Sequence, residues 1–530
     1  MEGVPKNRRR FWERRTTGGT RPEDVHKVST YRKENVYEIC YNLVMDLEQA
    51  RRRQSRRVII SEALMTLSVI ITVIALAFIV SGYWVNSDFE IERQGLLQIS
   101  STPTGADVII DGDTSWLQRT NTSKVLKSGE HQISLTKEGY DSWSKTINIS
   151  EGLLYRIRYP RLFLKERQKE VVLTESGITD ATVSPANDKM LLLNETTTWA
   201  LLSLDSEPIK SKPLNVTNLF QNTDGNVLTA KIASLDWSSD SSHVLIHAVS
   251  DSLSEWVLLD INKPENSLSL TKAFDASFDQ IVILDGSATN LLVLRGSNLH
   301  KINTSSKSIS AVLASDVTSF DYYRNMVVLS RQKPEVTLDS EKVESTEQVE
   351  PTDTAESSEI EPQYEVALLD LSNEKTTTLH AEPTPTLVNI SRFYDDVIIT
   401  VVSSDKVSLY KKDDVESLLK AYDLSFNPDK IKNSYESEFI VMSNGQQIAT
   451  IDMEASAMLE WSTDGASHGW LQDDMLYSVN DGKLYVYDAD GLNRRMISEN
   501  VSSRFPITIT KNKWLYYFSD GSLIKEKIAN

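Results

Sequence analysis

Four short turns near the C-terminus, Ser404-Asp405, Asn444-Gly445, Asp481-Gly482 and Asp520-Gly521, follow one another at intervals of 40, 37 and 39 residues. Asn-Gly and Asp-Gly are strong hairpin signals, because a tight two-residue turn needs residues that tolerate φ > 0. Each turn is flanked by apolar or aromatic runs, such as Leu476-Tyr477-Ser478-Val479 before Asp481 and Leu484-Tyr485-Val486-Tyr487 after Gly482. Earlier turns near Asn194-Glu195, Ser252, Gly296 and the loop 331–363 extend the series to eight. A recurring hairpin with a period near ~40 residues marks a four-stranded blade. Residues 167–530 therefore read as a seven- or eight-bladed β-propeller. Its last blade is one strand short, and Lys169 to Thr174, rich in Val and Leu, is the segment expected to complete it and close the ring.

A second feature divides the chain. Val58 to Val85 is apolar, and Ala63 to Val80 holds no charged residue. A helix rising 1.5 Å per residue over this stretch exceeds the ~30 Å hydrocarbon layer. Arg51, Arg52, Arg53, Arg56 and Arg57 precede it; Asp88, Glu90 and Glu92 follow. Lys and Arg hold their flank in the cytoplasm. Residues 1–57 are thus expected inside, 58–85 as a single transmembrane helix in contact with the bilayer, and the rest outside. A cleaved signal peptide fits less well, because its apolar region is short and ends at small residues. Here the run is long and closes with Tyr83-Trp84, residue types of the membrane interface.

Charge follows this division. Residues 1–57 carry 15 Lys and Arg against 8 Asp and Glu, or +7, so the remainder of the −19 chain carries −26. An acidic exterior argues against a nucleic-acid partner, because phosphate contacts need clustered cations. The basic tail reads as a topology signal that also attracts anionic headgroups. Val36, Leu43 and Ala50 lie seven apart with Ile39 and Leu47 between them, so residues 30–50 could self-associate weakly or lie as a lone helix on the membrane. Cys40 is the only cysteine. The exterior therefore has neither disulfide nor thiolate metal site. Seven Asn-x-Ser/Thr sequons occur outside the tail, but a cysteine-free exterior of this size suits a bacterial surface protein better than a eukaryotic one.

Between the apolar stretch and the propeller, residues 88–166 alternate apolar and polar in short runs, as half-buried strands do. Leu97 and Ile99, Val108 and Ile110, then His131, Ile133 and Leu135 carry the alternation. Thr102-Pro103-Thr104-Gly105, Asp111-Gly112, Glu138-Gly139 and Glu151-Gly152 supply the turns. Pro103 fixes φ and Gly105 permits φ > 0, so the pair forces a tight turn. The strings GLLQISSTPTGADVIIDG and LKSGEHQISLTKEGYDSWSKTINI resemble a PEGA domain. The resemblance rests on Ser101, Thr102, Pro103, Gly105, Ala106, Val108, Ile110, Asp111 and Gly112, then on Leu126, Gly129, His131, Lys137, Gly139 and Tyr140. Thr104 stands where the family's eponymous Glu would be. The likeness implies a small β-sandwich module of bacterial surface and membrane proteins, with structural rather than catalytic roles for these residues. Within the propeller, SPANDKMLLL and WSSDSSHVLI resemble the blade entries of WD-repeat-like and TolB-like propellers.

Glu335 to Glu361 holds 10 acidic residues and one Lys. Such a composition cannot bury a core, so 334–363 reads as a disordered acidic insert at a hairpin tip, solvated or cation-binding. Gly465-Ala466-Ser467-His468-Gly469 literally fits the nucleophile elbow G-x-S-x-G, but that motif needs a strand–turn–helix in a parallel sheet. His243 and His247 suit a metal only on a helix; on a strand they stand ~13 Å apart. Asp111 and Asp113 read as turn residues. No catalytic, cofactor-binding or metal-ligating residue is assigned, and no cofactor is expected. The chain thus reads as mainly β: a transmembrane helix, a PEGA-like sandwich and a propeller, in a bacterial cell membrane with the N-terminus cytoplasmic. Its expected role is a non-catalytic platform whose propeller faces bind an envelope protein or glycan. The rival readings are a propeller-type hydrolase or lyase, and a transmembrane signalling protein.

Overall fold

The computed structural model describes residues 45, 59–77, 83–85, 91–113, 118–174, 177–194, 198–216, 219, 231–250, 253–284, 286, 288–333, 363–434, 438–463, 467–472 and 474–530. Two compact units divide at Ile91. In the first, Ile59–Ala77 is a helix long and apolar enough to cross a membrane. It does not run to Val85 as the sequence led us to expect, because Tyr83–Val85 is a strand. Aromatic and β-branched residues favour that extended backbone once the uninterrupted aliphatic run has ended. The stripe at 30–50, all but Met45, lies outside the described residues, as does the acidic insert.

The second unit contains the sandwich and the ring. One sandwich sheet pairs Ile91–Ile99 with antiparallel Thr122–Lys127 and parallel Leu154–Ile157. The other joins Asp107–Ile110, Gly129–Thr136 and Trp143–Ile149. Leu97, Ile99, Val108, Ile133, Leu135, Ile147 and Ile149 are buried between them. This is the alternation seen in the sequence, with one side of each strand turned inward. Gly105 takes φ +76°, the backbone that its turn requires.

Eight four-stranded antiparallel sheets follow among the described residues, which decides seven or eight in favour of eight. Their first strands are Ile178–Val183, Lys231–Trp237, Gln280–Leu284, Val317–Tyr323, Leu387–Phe393, Lys430–Asn433, Ser467–Gln472 and Thr508–Thr510. We number the blades 1 to 8 in this order. First strands touch between blades 1 and 2, 4 and 5, 5 and 6, and 7 and 8, which places them along the ring's centre. Buried clusters are shared by adjacent blades. Leu191, Leu193 and Trp199 of blade 1 pack on Val244, Ile246 and Val257 of blade 2. Val328 and Val366 of blade 4 pack on Val388 and Ile399 of blade 5. Blade 8 has only three strands of its own, and Lys169–Thr174 pairs antiparallel with Ser522–Lys527 to supply the fourth. Arg167 reinforces the closure with an ion pair to fully buried Glu526 at 2.9 Å. The acidic insert leaves its hairpin intact at the base, where Gln332 pairs with Tyr364 and the Lys333 amide donates to the Gln363 carbonyl at 2.8 Å.

Candidate binding faces of the ring

Strand direction alternates within each blade, and the chain enters every blade at the inner strand. Turns between first and second strands, and between third and fourth, therefore share one face of the ring. Turns between second and third strands share the other. All eight hairpins read from the sequence belong to this second set, including the base of the acidic insert in blade 4.

The sandwich sits on the first face, over blades 6 to 8, and reaches blade 5 where Arg156 stacks on Tyr394 at 5.0 Å. Trp143 and Lys145 occupy buried positions of the strand Trp143–Ile149. The Trp143 indole donates to Asp488 at 2.6 Å. The Lys145 ammonium donates to the Tyr159 hydroxyl at 2.7 Å and to Asp452 at 3.0 Å. It also pairs with Asp490 at 2.7 Å, at an angle outside hydrogen-bond geometry. Burial alone would depress the Lys145 amine, but Tyr159, Asp490 and Asp452 together hold it above the usual range. Burial, and then the charge of Asp490, pushes Asp488 up to about 7. Around this centre the Arg156 amide donates to Glu454, Arg158 pairs with Glu438, and the Ser144 amide donates to Asn493. Tyr159 stacks edge-on against Phe439 of blade 6 at 5.1 Å. The cluster sets one buried lysine against Asp452 and Asp490 across the contact between sandwich and ring, and so fastens the sandwich. The alternation Trp143, Lys145, Ile147, Ile149 holds the overlooked signal: a lysine on the buried side of a strand requires buried acids from elsewhere.

The ring's centre is polar. Burial raises the carboxyl pKa of Asp180, Asp236 and Asp321 on the inner strands of blades 1, 2 and 4. A hydrogen bond from Ser234 and the charge of Lys432 on blade 6 oppose the rise at Asp236. Asp321 accepts from the Asn389 side chain at 2.7 Å and the Ile390 amide at 3.0 Å, tying blade 4 to blade 5. Asn389, one of the sequon residues, is itself buried.

The tempting motifs fall apart in space. Ser467 opens the inner strand of blade 7, pairs with Val479, and donates to the Ser503 carbonyl at 3.1 Å. His468 follows on the same strand, so no strand–turn–helix exists there; Gly465 and Ala466 lie outside the described residues. His243 and His247 stand on the strand His243–Ser250. His247 stacks flat on Trp256 at 4.1 Å and bonds Ser254 at 2.9 Å. His243 bonds Ser242 at 2.7 Å. Asp111 does more than make a turn: it accepts from the Gln132 amide at 2.8 Å and bonds His131 Nδ1 at 2.7 Å. The His131 bond heads the causes that hold its carboxyl below the usual range. Among the described residues no three His, Cys, Asp or Glu gather as a metal site.

Residues 94–161 match the PEGA domain. No curated protein sequence matches the chain. The C-terminal WD40 domain of Sif2 is similar in structure, at 11% identity and a TM-score of 0.44, covering 68% of this chain and 98% of that one. Kluyveromyces lactis Hsv2 is similar at 13% identity and a TM-score of 0.37, covering 61% and 98%. PorZ, described as a bacterial surface component of the type-IX secretion system of Porphyromonas gingivalis, is similar at 10% identity and a TM-score of 0.38, covering 66% and 42%.

Proposed function

We propose that this chain is a membrane-anchored, non-catalytic protein of the bacterial cell envelope, whose exported PEGA domain and propeller form a binding platform. One observation carries the reading. The sandwich is fastened to one face of the ring by buried polar groups, which leaves the opposite face, with its eight hairpin turns, clear of it. A ring of fixed blades presents loops that can diverge without disturbing the core, so binding residues can converge there. Catalysis needs a positioned nucleophile, base and oxyanion donors, and Ser467 is engaged with a carbonyl on a strand instead. An anchored platform meets envelope partners, protein or glycan, at high local concentration, so modest affinity suffices. The full chain in detergent is expected to show no turnover on ester, peptide and glycoside panels. Turnover abolished by Ser467→Ala would replace the platform with a propeller-type hydrolase.

A further inference from the structure

Three strands of the sandwich break the apolar–polar alternation at the same register. On the outward side of the first sheet, Gln94, Gln98, Ser123 and Lys127 are polar, as a solvated face requires, and Arg156 stacks on Tyr394 of blade 5 at 5.0 Å. Between them, Leu96 pairs with Val125 on one side and with Leu154 on the other. These side chains are 37%, 45% and 37% exposed, and Leu153 in the adjoining turn is 63% exposed. A scattered surface leucine needs no explanation, whereas an aligned apolar row does. The rows beside it carry Lys127, paired with Gln94, and Arg156, in register with Gln98.

We infer that this row rests on the bilayer surface, with Leu96, Val125, Leu153 and Leu154 at the boundary between headgroups and acyl chains. The inference rests on the anchor reading above. Residues 78–90 lie between Ala77, the last described residue of the apolar helix, and the strand Ile91–Ile99. Thirteen residues reach at most about 45 Å, which bounds how far the sandwich can stray from its anchor. The row is three strands, or about 10 Å, wide. It falls far short of the ~800 Å² per partner that a stable protein interface buries. A tethered surface needs no such area, because the tether already supplies the effective concentration. An apolar row bordered by a basic residue such as Lys127 is the pattern of interfacial segments. Contact there would hold the propeller at a set height and tilt.

The test uses the full chain in nanodiscs, with Cys40→Ser and Val125→Cys carrying an environment-sensitive fluorophore. A second preparation carries the probe at Gln446→Cys, in a hairpin turn of the opposite face. The Val125 probe is expected to emit to the blue of the Gln446 probe. Lipids with a nitroxide near the headgroup should quench it several-fold more strongly. Leu96→Asn with Leu154→Asn should abolish both differences while circular dichroism stays unchanged. Equal emission and equal quenching at the two sites would overturn the inference. So would quenching that appears only with two chains per disc, which would mean contact with a second copy. If the chain did not enter nanodiscs at all, the anchor reading itself would fail.

Discussion

Lys145 replaces solvent by Asp452, Asp490 and Tyr159. Removing one partner of such a buried group leaves the others uncompensated, at a cost of about 3–5 kcal/mol. Lys145→Met should therefore loosen the sandwich from the ring, read as faster proteolysis near residues 164–168. Adding Asp452→Asn and Asp490→Asn should restore most of the protection; a triple variant as labile as the single one would show that packing, not charge, fastens the two. Asp488 gives a pH signature. Its folded pKa, raised by burial and by Asp490 to about 7, lies above the ordinary carboxyl value, so the folded state keeps a proton that the unfolded state has released. The resulting stability is complete below about pH 4 and is lost as pH rises to about 7. Relative to wild type, Asp488→Asn should gain melting temperature over that window and hold constant above it. A difference independent of pH would refute the assignment. Gly105→Val should cost about 1–3 kcal/mol, because φ +76° is strained for a β-branched residue; an unchanged melting temperature would show that the turn bears no strain. Gly105 was legible from its place after Pro103, since a tight turn is local. The acids around Lys145 were not, because they lie some 300 residues away and only the docked fold brings them together.

At the scale of elements, the repeats were readable because each hairpin carries its own turn chemistry, as Asp481-Gly482 and Asp520-Gly521 show. The closing strand was readable by arithmetic: blade 8 lacked a partner for Ser522–Lys527, and Lys169–Thr174 had the composition to be one. The parallel strand Leu154–Ile157 escaped, because its turn at Glu151-Gly152 gives no hint of the distant Ile91–Ile99 beside it. The end of the helix was also misplaced, since an apolar composition fits helix and strand alike until Tyr83–Val85 adopts one. Excising residues 336–361 should leave circular dichroism and melting unchanged, because Gln332 and Tyr364 already pair at the hairpin base. Loss of folding in that variant would place the insert in the core.

For the whole molecule, the charge asymmetry around the apolar helix sets the expected orientation. In intact cells Cys40 should resist a membrane-impermeant thiol reagent, whereas a cysteine at Gln446 should react; labelling of Cys40 would invert the topology. On that orientation the ring would stand outside, with the sandwich on one face and the eight hairpin turns on the other. Nothing in a single chain names the partner, because recognition lies in loops whose residues answer to the ligand and not to the fold. The central claim is that the ring's open face holds a partner, and photo-crosslinking in intact cells tests it most directly. A photoreactive residue at Gln446 or Asp520, on the open face, should give one defined adduct that the purified unlabelled chain competes away. The same residue at Asp395, on the sandwich-bearing face, should not give that adduct. No competable adduct at Gln446 and Asp520, or the same adduct at all three positions, would contradict the account.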